Sequence, residues 1–338
     1  MKRARLSFAP GLQIEFADRD RAIRQVLEWG ERGTRYPIVV FGPEGCGKTA
    51  WLKQSAEVLR ELGFEAMYVN PLHKDVIPCT DVREVAQRFM EAAAEVAGAS
   101  TQLRLATLAT LAVRELLTRW RKRRVAVLVD DVFQAIGLDR AEVYVKELLG
   151  LIEYPPESYE NIVAVVATSE GVSRWSIGRH RWAWVMPMWN LSKRGFEELY
   201  ELLRKSLGSM PSFEDAWMLT GGNPDMLSKL YQVGWNVDAL IDGIGKGKRI
   251  TPGFIARWRG WLEGAIEDPD ALWRPEAPEE LVNELIERNL IVYDMYLRRP
   301  ELWIDDPPLG KAPELGIGEN VAWQTPLHRE AVRRALQG

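Results

Sequence analysis

The sequence predicts an α/β fold: a parallel sheet with helices on both faces. Three observations lead there. Short runs that are mostly apolar recur at residues 37–41, 64–69, 125–129, 162–167 and 182–188. Helix-period segments separate them. The first run passes directly into a glycine-rich loop and then a helix. Strands apolar on both sides are buried on both faces, and alternation with helices is the pattern of crossover connections.

Taken in order, residues 19–32 read as an amphipathic helix with Ile23, Val26 and Leu27 on its apolar side. After the strand at 37–41 a helix covers 48–62, with Leu52, Ala56, Leu59 and Leu62 on one face and Gly63 as its stop. A second strand follows at 64–69, then helices at 81–97 and 101–122. The third strand, 125–129, ends at Asp130-Asp131. A helix at 139–153 precedes a Pro155-Pro156 turn, the fourth strand and then the fifth. Residues 191–245 read as helical, broken at Gly221-Gly222-Asn223-Pro224, and 243–248 read as a glycine-rich linker. The last part predicts helices at 252–266 and 277–288, a strand-like run at 290–296, a second short strand at 321–324, and a final helix capped by Thr325 with Pro326 in its first position. Helices followed by two strands suggest a small α+β domain of winged-helix type. The expected domains are a core at 1–190, a helical lid at 191–248 and the winged-helix-like domain at 249–338.

The chain has 338 residues, 46% hydrophobic and 27% charged, which is ordinary globular composition for roughly two domains. No apolar run is long enough to cross a membrane as a helix, and the basic first residues lack the apolar stretch of a signal peptide. Cys46 and Cys79 have no metal-ligand spacing and read as reduced thiols of a cytoplasmic protein. Only three histidines are present, His73, His180 and His328, which argues against a histidine zinc site or a Ser-His-Asp triad. Asn and Gln together number 17, a low amide content that fits a thermophilic source. Residues 251–338 carry 10 basic and 16 acidic side chains, a poor surface for a nucleic-acid duplex.

The strongest motif is Gly42-Pro43-Glu44-Gly45-Cys46-Gly47-Lys48-Thr49, which fits G-x-x-x-x-G-K-[ST] between a strand and a helix. A triphosphate concentrates negative charge. Glycines let successive backbone N–H groups, here through Ala50, turn inward as an anion nest, and the helix adds its positive end. Lys48 is expected on the β- and γ-phosphates and Thr49 on Mg²⁺. Asp130, at the end of an apolar strand, is expected in the Mg²⁺ shell, with Asp131 beside it to orient the attacking water. Asp is shorter than Glu at that task, so hydrolysis is expected to be slow. Thr168 and Ser169 end the fourth strand and are candidates for contact with the γ-phosphate or water. Arg174, Arg179 and Arg181 are candidate arginine fingers, with surface charge the commoner role. Trp175, Trp182, Trp184 and Trp189 lie near Arg179–Arg181. That pattern fits base stacking, although core packing is the more frequent use of Trp.

These motifs together resemble the archaeal ATPase family of P-loop proteins, near the STAND and AAA+ groups. Phe16-Ala17-Asp18-Arg19-Asp20 resembles its N-terminal box, with Asp18 where Gly is usual. Val129-Asp130-Asp131-Val132-Phe133-Gln134 resembles its Walker B segment, with Asp131 in place of Glu and one residue added before Phe133. Thr220-Gly221-Gly222-Asn223-Pro224 matches its lid turn, and Thr325-Pro326-Leu327-His328-Arg329 resembles its C-terminal segment. The resemblance implies a sheet in the order 5-1-4-3-2, a helical lid, a C-terminal winged helix, and ATP as the nucleotide. It also implies that Arg19 and Pro224 serve nucleotide binding, Pro224 by the adenine.

Three functions compete on this reading. One is an ATP-dependent switch that signals to an unidentified protein partner. The second is a DNA-acting ATPase similar to archaeal replication initiators. Its groove-reading helix would be 278–288, where four glutamates against one arginine would face phosphates. The third is a nucleotide-binding scaffold that does not hydrolyse.

Overall fold

A computed structural model describes residues 2–95, 101–169 and 173–338. The chain opens with a hairpin, β1 (Arg5–Ala9) and β2 (Leu12–Glu15), followed by α1 (Asp20–Arg32), β3 (Ile38–Phe41) and α2 (Lys48–Glu61). Next come β4 (Glu65–Asn70), β5 (Asp75–Cys79), α3 (Arg83–Glu95), α4 (Thr101–Thr118) and β6 (Arg124–Asp130). Two helices, α5 (Val132–Ile136) and α6 (Leu138–Glu153), lead to β7 (Asn161–Thr168), α7 (Ser173–Gly178) and β8 (Trp184–Pro187). The helices α8 (Lys193–Ser206), α9 (Phe213–Thr220), α10 (Pro224–Gln232) and α11 (Val237–Gly247) follow. The chain closes with α12 (Pro252–Glu267), α13 (Glu279–Glu287), β9 (Ile291–Tyr293), β10 (Val321–Trp323) and α14 (Pro326–Gln337).

The chain divides into two compact units. One comprises Met1–Arg5, Asp20–Phe41 and Lys48–Pro187; the other comprises Leu6–Arg19, Gly42–Gly47 and Met188–Gly338. The first holds a six-stranded sheet in the order β5-β4-β6-β7-β3-β8. All neighbours in it are parallel except β4 and β5. Numbered as the five predicted strands, its parallel part runs 5-1-4-3-2, as expected. The antiparallel β5 was not anticipated. It contains Pro78, which cannot donate to a ladder and is tolerated because β5 lies at the sheet edge.

One face of this sheet presents Val39, Met67, Val127, Val129 and Val166 to Phe89, Val113, Leu116, Tyr144 and Leu148. All of these side chains are buried. Each such burial favours the fold by about 1.5–3 kcal/mol. On α1 and α2, Trp29 and Trp51 meet edge to face at 6.1 Å.

The second unit is mostly helical, with the β9–β10 antiparallel pair joined in the register Val321↔Tyr293 to Trp323↔Ile291. Its helices start where the sequence supplies caps. Ser192, Ser212, Asn223, Asn236, Thr251 and Thr325 each accept a first-turn N–H through the side chain. Each cap contributes on the order of 1 kcal/mol. The core gathers Trp189, Phe196, Leu199, Trp217, Leu227 and Trp303. A neighbouring cluster joins Leu230, Leu240 and Ile241 to Leu327 and Ala331.

Several elements differ from expectation. The stretch 243–248 is not a linker: α11 continues through Gly247, and the Lys248 N–H bonds to Ile244 O. Ile241 and Ile244 are buried while Gly243, Gly245 and Gly247 have nothing within 4 Å of a would-be Cβ. Packing of the apolar side therefore outweighs the cost of roughly 1 kcal/mol per helical glycine. The fifth strand is shorter than 182–188, and the 290–296 run pairs only over Ile291–Tyr293. The β1–β2 hairpin and the short helices α5 and α7 were not anticipated. The end of the helix predicted at 81–97 lies outside the described residues. Among those residues no helix is long and apolar enough to cross a membrane.

Candidate active site

The P-loop segment begins where β3 ends, and the boundary between the two units falls between its Gly47 and Lys48. In the second unit, residues 42–47 are shaped by close backbone packing. A Cβ at Gly42 would stand 1.9 Å from Met188 O, so no other residue fits there. Gly45 and Gly47 have φ of 76° and 104°, which aims their N–H groups in directions L-residues rarely allow. The Cys46 N–H closes a turn onto Pro43 O at 3.2 Å.

A ring of buried amides holds this loop. Gln324 Oε1 accepts the Glu44 N–H at 2.7 Å, and Asn223 Nδ2 donates to Glu44 O at 2.9 Å and to Asn190 Oδ1 at 2.8 Å. Asn190 in turn donates to Gln324 O at 3.1 Å. Pro224 follows Asn223 as the first residue of α10, so the predicted Gly-Gly-Asn-Pro turn packs on the loop, with the Asp225 N–H facing Gly45 O at 3.4 Å. Lys248 pairs with the Glu44 carboxylate at 2.7 Å. Burial acts to raise Glu44, but the Lys248 hydrogen bond and charge prevail, and its pKa is lowered. His328 is wholly buried against Thr325 Oγ1 at 2.8 Å. Burial first, and the Lys248 charge second, lower it to about 3, so the ring is neutral above that pH.

Arg19 is 2% exposed. Its guanidinium pairs with Asp305 at 2.9 Å and donates to Trp189 O at 2.8 Å and to Cys46 O. Its contacts are thus to protein groups, one of them the loop backbone. Asp18 and Arg19 both have positive φ, 59° and 65°. Asp18 packs its carboxyl against Gly195 in the first turn of α8, where a Cβ would clash. Burial, then the nearby Asp305 charge, raise Asp18 to about 6, with Arg19 opposing and Glu198 adding to the rise.

The first unit holds Lys48, Thr49, the acids and Ser169. Lys48 and Asp130 are buried, at 5% and 1% exposure. Asp130 Oδ2 accepts from Tyr68 OH at 3.2 Å and from Asn70 Nδ2 at 3.1 Å. Its Oδ1 is buried with no hydrogen-bond partner among the described residues. Burial and the neighbouring Asp131 raise Asp130 to about 6, while Thr49, Lys48 and Asn70 act to lower it. Asp131 has φ 46° and precedes α5. Its oxygens take Ser169 Oγ at 3.3 Å and Asn70 Nδ2 at 3.4 Å, and Gln134 Nε2 donates to Ser169 at 2.9 Å. The structure therefore brings Lys48, Thr49, Asp130, Asp131 and Ser169 together at the carboxyl ends of β3, β6 and β7. Ala50 continues α2 behind them.

Tyr68 and Asn70 were not anticipated. The signal was available: two polar groups close a buried strand whose register places it beside the one that ends in the acid. Of the other candidates, Thr168 is buried at the end of β7 and Arg174 is buried over the Phe41 ring at 4.8 Å. Arg179 pairs with Glu142, and Arg181 is exposed. Trp189 is buried, Trp182 packs partly on the core, and Trp184 is 56% exposed. The Trp175 side chain lies outside the described residues.

Mg²⁺ fits this site on its own chemistry. Asp130 leaves one buried oxygen, Oδ1, without a hydrogen-bond partner among the described residues, Thr49 is among the polar groups acting on its carboxylate, and oxygen ligands of this kind suit a hard cation.

Comparison with known proteins agrees with the geometry. Residues 16–230 match the model of an ATPase domain predominantly from Archaea. The fold is similar to that of a Walker-type ATPase of Pyrococcus abyssi, at TM-score 0.50 and 14% identity over 94% of this chain and 96% of that one. Weaker likenesses include Cdc6p from Pyrobaculum aerophilum (TM-score 0.40, 15% identity, 85% and 91% covered) and AMPPCP-bound DnaA from Aquifex aeolicus (0.37, 15%, 78% and 80%). No curated protein matches. With the family model covering more than half of the chain, and with a P-loop and a strand-end acid in place, the protein belongs to the family of ATPase domains found predominantly in Archaea and is a P-loop ATPase.

Proposed function

We propose that the protein binds ATP with Mg²⁺ and works as a slow, nucleotide-dependent switch. The observation that carries this reading is the divided environment of Asp130: Oδ2 is held by Tyr68 and Asn70, and Oδ1 is buried without a hydrogen-bond partner among the described residues. The backbone N–H groups from Gly45 to Ala50 receive the phosphates, and Lys48 neutralises the β- and γ-groups. Thr49 and Asp130 hold Mg²⁺, which when bound neutralises developing charge on the phosphates. Asp131 positions the attacking water, held in place itself by Ser169 and Asn70. Arg19 acts on the loop backbone through Cys46 O, and Pro224 orients the turn that packs on Gly45.

The switch reading rests on the loop's partners. Glu44 is gripped by Asn223, Lys248 and Gln324, all from the region taken as lid (191–248) and winged-helix-like domain (249–338). A change of phosphate occupancy acts on the same backbone, which is how a bound nucleotide biases a two-state element. A protein partner is the expected reader. Reading of a duplex by α13 is disfavoured, because Glu279, Glu280, Glu284 and Glu287, against Arg288 alone, would face the phosphates.

The test is steady-state ATP hydrolysis by the full chain with Mg²⁺, with and without duplex DNA, against Lys48→Ala. The switch predicts a slow rate that the substitution abolishes and the duplex leaves unchanged. Strong stimulation by the duplex would contradict it.

A further inference from the structure

In a parallel sheet every helix-to-strand connection reaches the amino end of its strand, the end opposite the P-loop and Asp130. The four connections into β6, β7, β3 and β8 therefore share one edge of the first unit, and these four strands are consecutive in the sheet. Each contributes one exposed aromatic ring. Trp120 precedes β6, Tyr154 precedes β7, Tyr36 precedes β3, and Trp184 opens β8, with exposures of 37%, 79%, 42% and 56%. Among the described residues the other large hydrophobics at such exposure are aliphatic, with Trp273 as the exception. The four belong to connections that enter adjacent strands, so their attachment points form a row along one edge, and the Trp120 ring already carries the Arg119 guanidinium at 5.6 Å. At about 4.8 Å between strands, the row is roughly 15 Å long.

The same connections are basic in a chain whose net charge is −4. Residues 33–37, 119–123, 154–160 and 179–183 carry seven Lys or Arg (Arg35, Arg119, Arg121, Lys122, Arg123, Arg179 and Arg181) against two Glu. Hydrogen bonds and ion pairs confirm that the connections adjoin. Glu160 N donates to Arg123 O at 2.7 Å, Thr34 N to Ile162 O at 3.0 Å, and Trp184 N to Pro37 O at 2.9 Å. Arg119 pairs with Glu84 and Glu115, Lys122 with Glu65 and Arg179 with Glu142, all outside these connections, while the two glutamates within them pair with Arg121 at 2.7 Å and Arg123 at 3.9 Å. Both of these last pairs are solvent-exposed, and exposed pairs of this kind are weak and readily exchanged for another anion. Arg35 and Arg181 are exposed without an ion pair among the described residues.

We infer that this edge binds single-stranded nucleic acid, with bases stacked on Trp120, Tyr154, Tyr36 and Trp184 and phosphates met by the interleaved arginines. Planar rings separated by cations match alternating bases and phosphates. A folded acidic protein would need the cations without the row of rings, and a helix-binding groove would be lined by aliphatic side chains. The inference is independent of the ATP site, which lies at the other end of the strands.

Binding is measured by fluorescence anisotropy of a labelled oligothymidylate and an oligoadenylate added to the full chain, at low and at moderate salt. The expected result is salt-sensitive binding of both. Tyr154→Ala and Trp184→Ala should each weaken it on the order of tenfold, and Arg35→Ala with Arg181→Ala should flatten the salt dependence. All four positions are on the surface, so folding and ATP turnover should be unchanged. No binding at low salt would overturn the inference. So would binding that ignores the aromatic substitutions, or that heparin or an acidic peptide reproduces equally; the last two would mark a general polyanion or acidic-protein surface.

Discussion

Two buried charges in this molecule are held in opposite ways. Arg19 is closed off on all sides, with a carboxylate partner in Asp305 and two carbonyl acceptors. Asp130 is equally buried, but only one of its oxygens has a hydrogen-bond partner among the described residues, and its charged neighbours are a second acid, Asp131, as well as Lys48. Removing a charge from water costs several kcal/mol unless it is compensated. Full compensation at Arg19 is what a structural clamp requires. Incomplete compensation at Asp130 lowers the stability of the unliganded protein and leaves an oxygen for a cation. Burial alone does not separate the Arg19 clamp from the proposed cation ligand Asp130; the hydrogen bond that remains unmade at Oδ1 does.

The contrast predicts opposite outcomes for removing each charge. Arg19→Met should destabilise by about 3–5 kcal/mol in chemical denaturation, because it breaks the buried ion pair with Asp305. Arg19→Met with Asp305→Leu should recover part of that loss. Asp130→Asn should leave unfolding of the nucleotide-free protein unchanged or slightly harder, while ATP turnover falls by at least about 100-fold. Equal losses of stability in both variants would erase the distinction between the two sites.

Asn70→Ala probes the half of Asp130 that is bonded. It removes a donor to both Asp130 and Asp131, and turnover should drop about tenfold with little change in ATP affinity. Loss of affinity instead would place Asn70 at the nucleotide rather than behind the acids.

The smallest effect concerns Asp18. Its folded pKa of about 6 lies above the unfolded value of 3.8, so between those limits the folded state holds the proton more tightly. Stability from this group is therefore full below about pH 4 and declines as pH rises to about 6. Asp18→Asn should remove that decline and gain about 1 kcal/mol or less at pH 7.5, since the group is partly solvated. A gain that does not depend on pH would come from backbone conformation and not from the charge.

Much of this was legible in the sequence, for a physical reason. Strands such as 125–129 are apolar on both faces because the sheet buries both, and the resemblance supplied their order. Residues 42–49 and Asp130 could be placed because phosphate and Mg²⁺ chemistry dictates residue type at fixed spacing. The glycines of α11 misled, since local propensity opposed a helix that packing of Ile241 and Ile244 restores. Asp305 and Gln324 carry no local signal of their own. Each matters through a partner far away in the chain, Gln324 through Glu44 and Asp305 through Arg19. The rings at the amino edge were not legible as a set, because the exposure of Tyr36, Trp120, Tyr154 and Trp184 is a property of the folded chain.

The most direct measurement is calorimetric ATP affinity, with and without Mg²⁺, for the wild type, Lys48→Ala and Asp130→Asn. The expected result is that Mg²⁺ tightens ATP binding in the wild type and not in Asp130→Asn, while Lys48→Ala weakens binding under both conditions. An undiminished Mg²⁺ effect in Asp130→Asn, or wild-type affinity in Lys48→Ala, would contradict the assignment of the site.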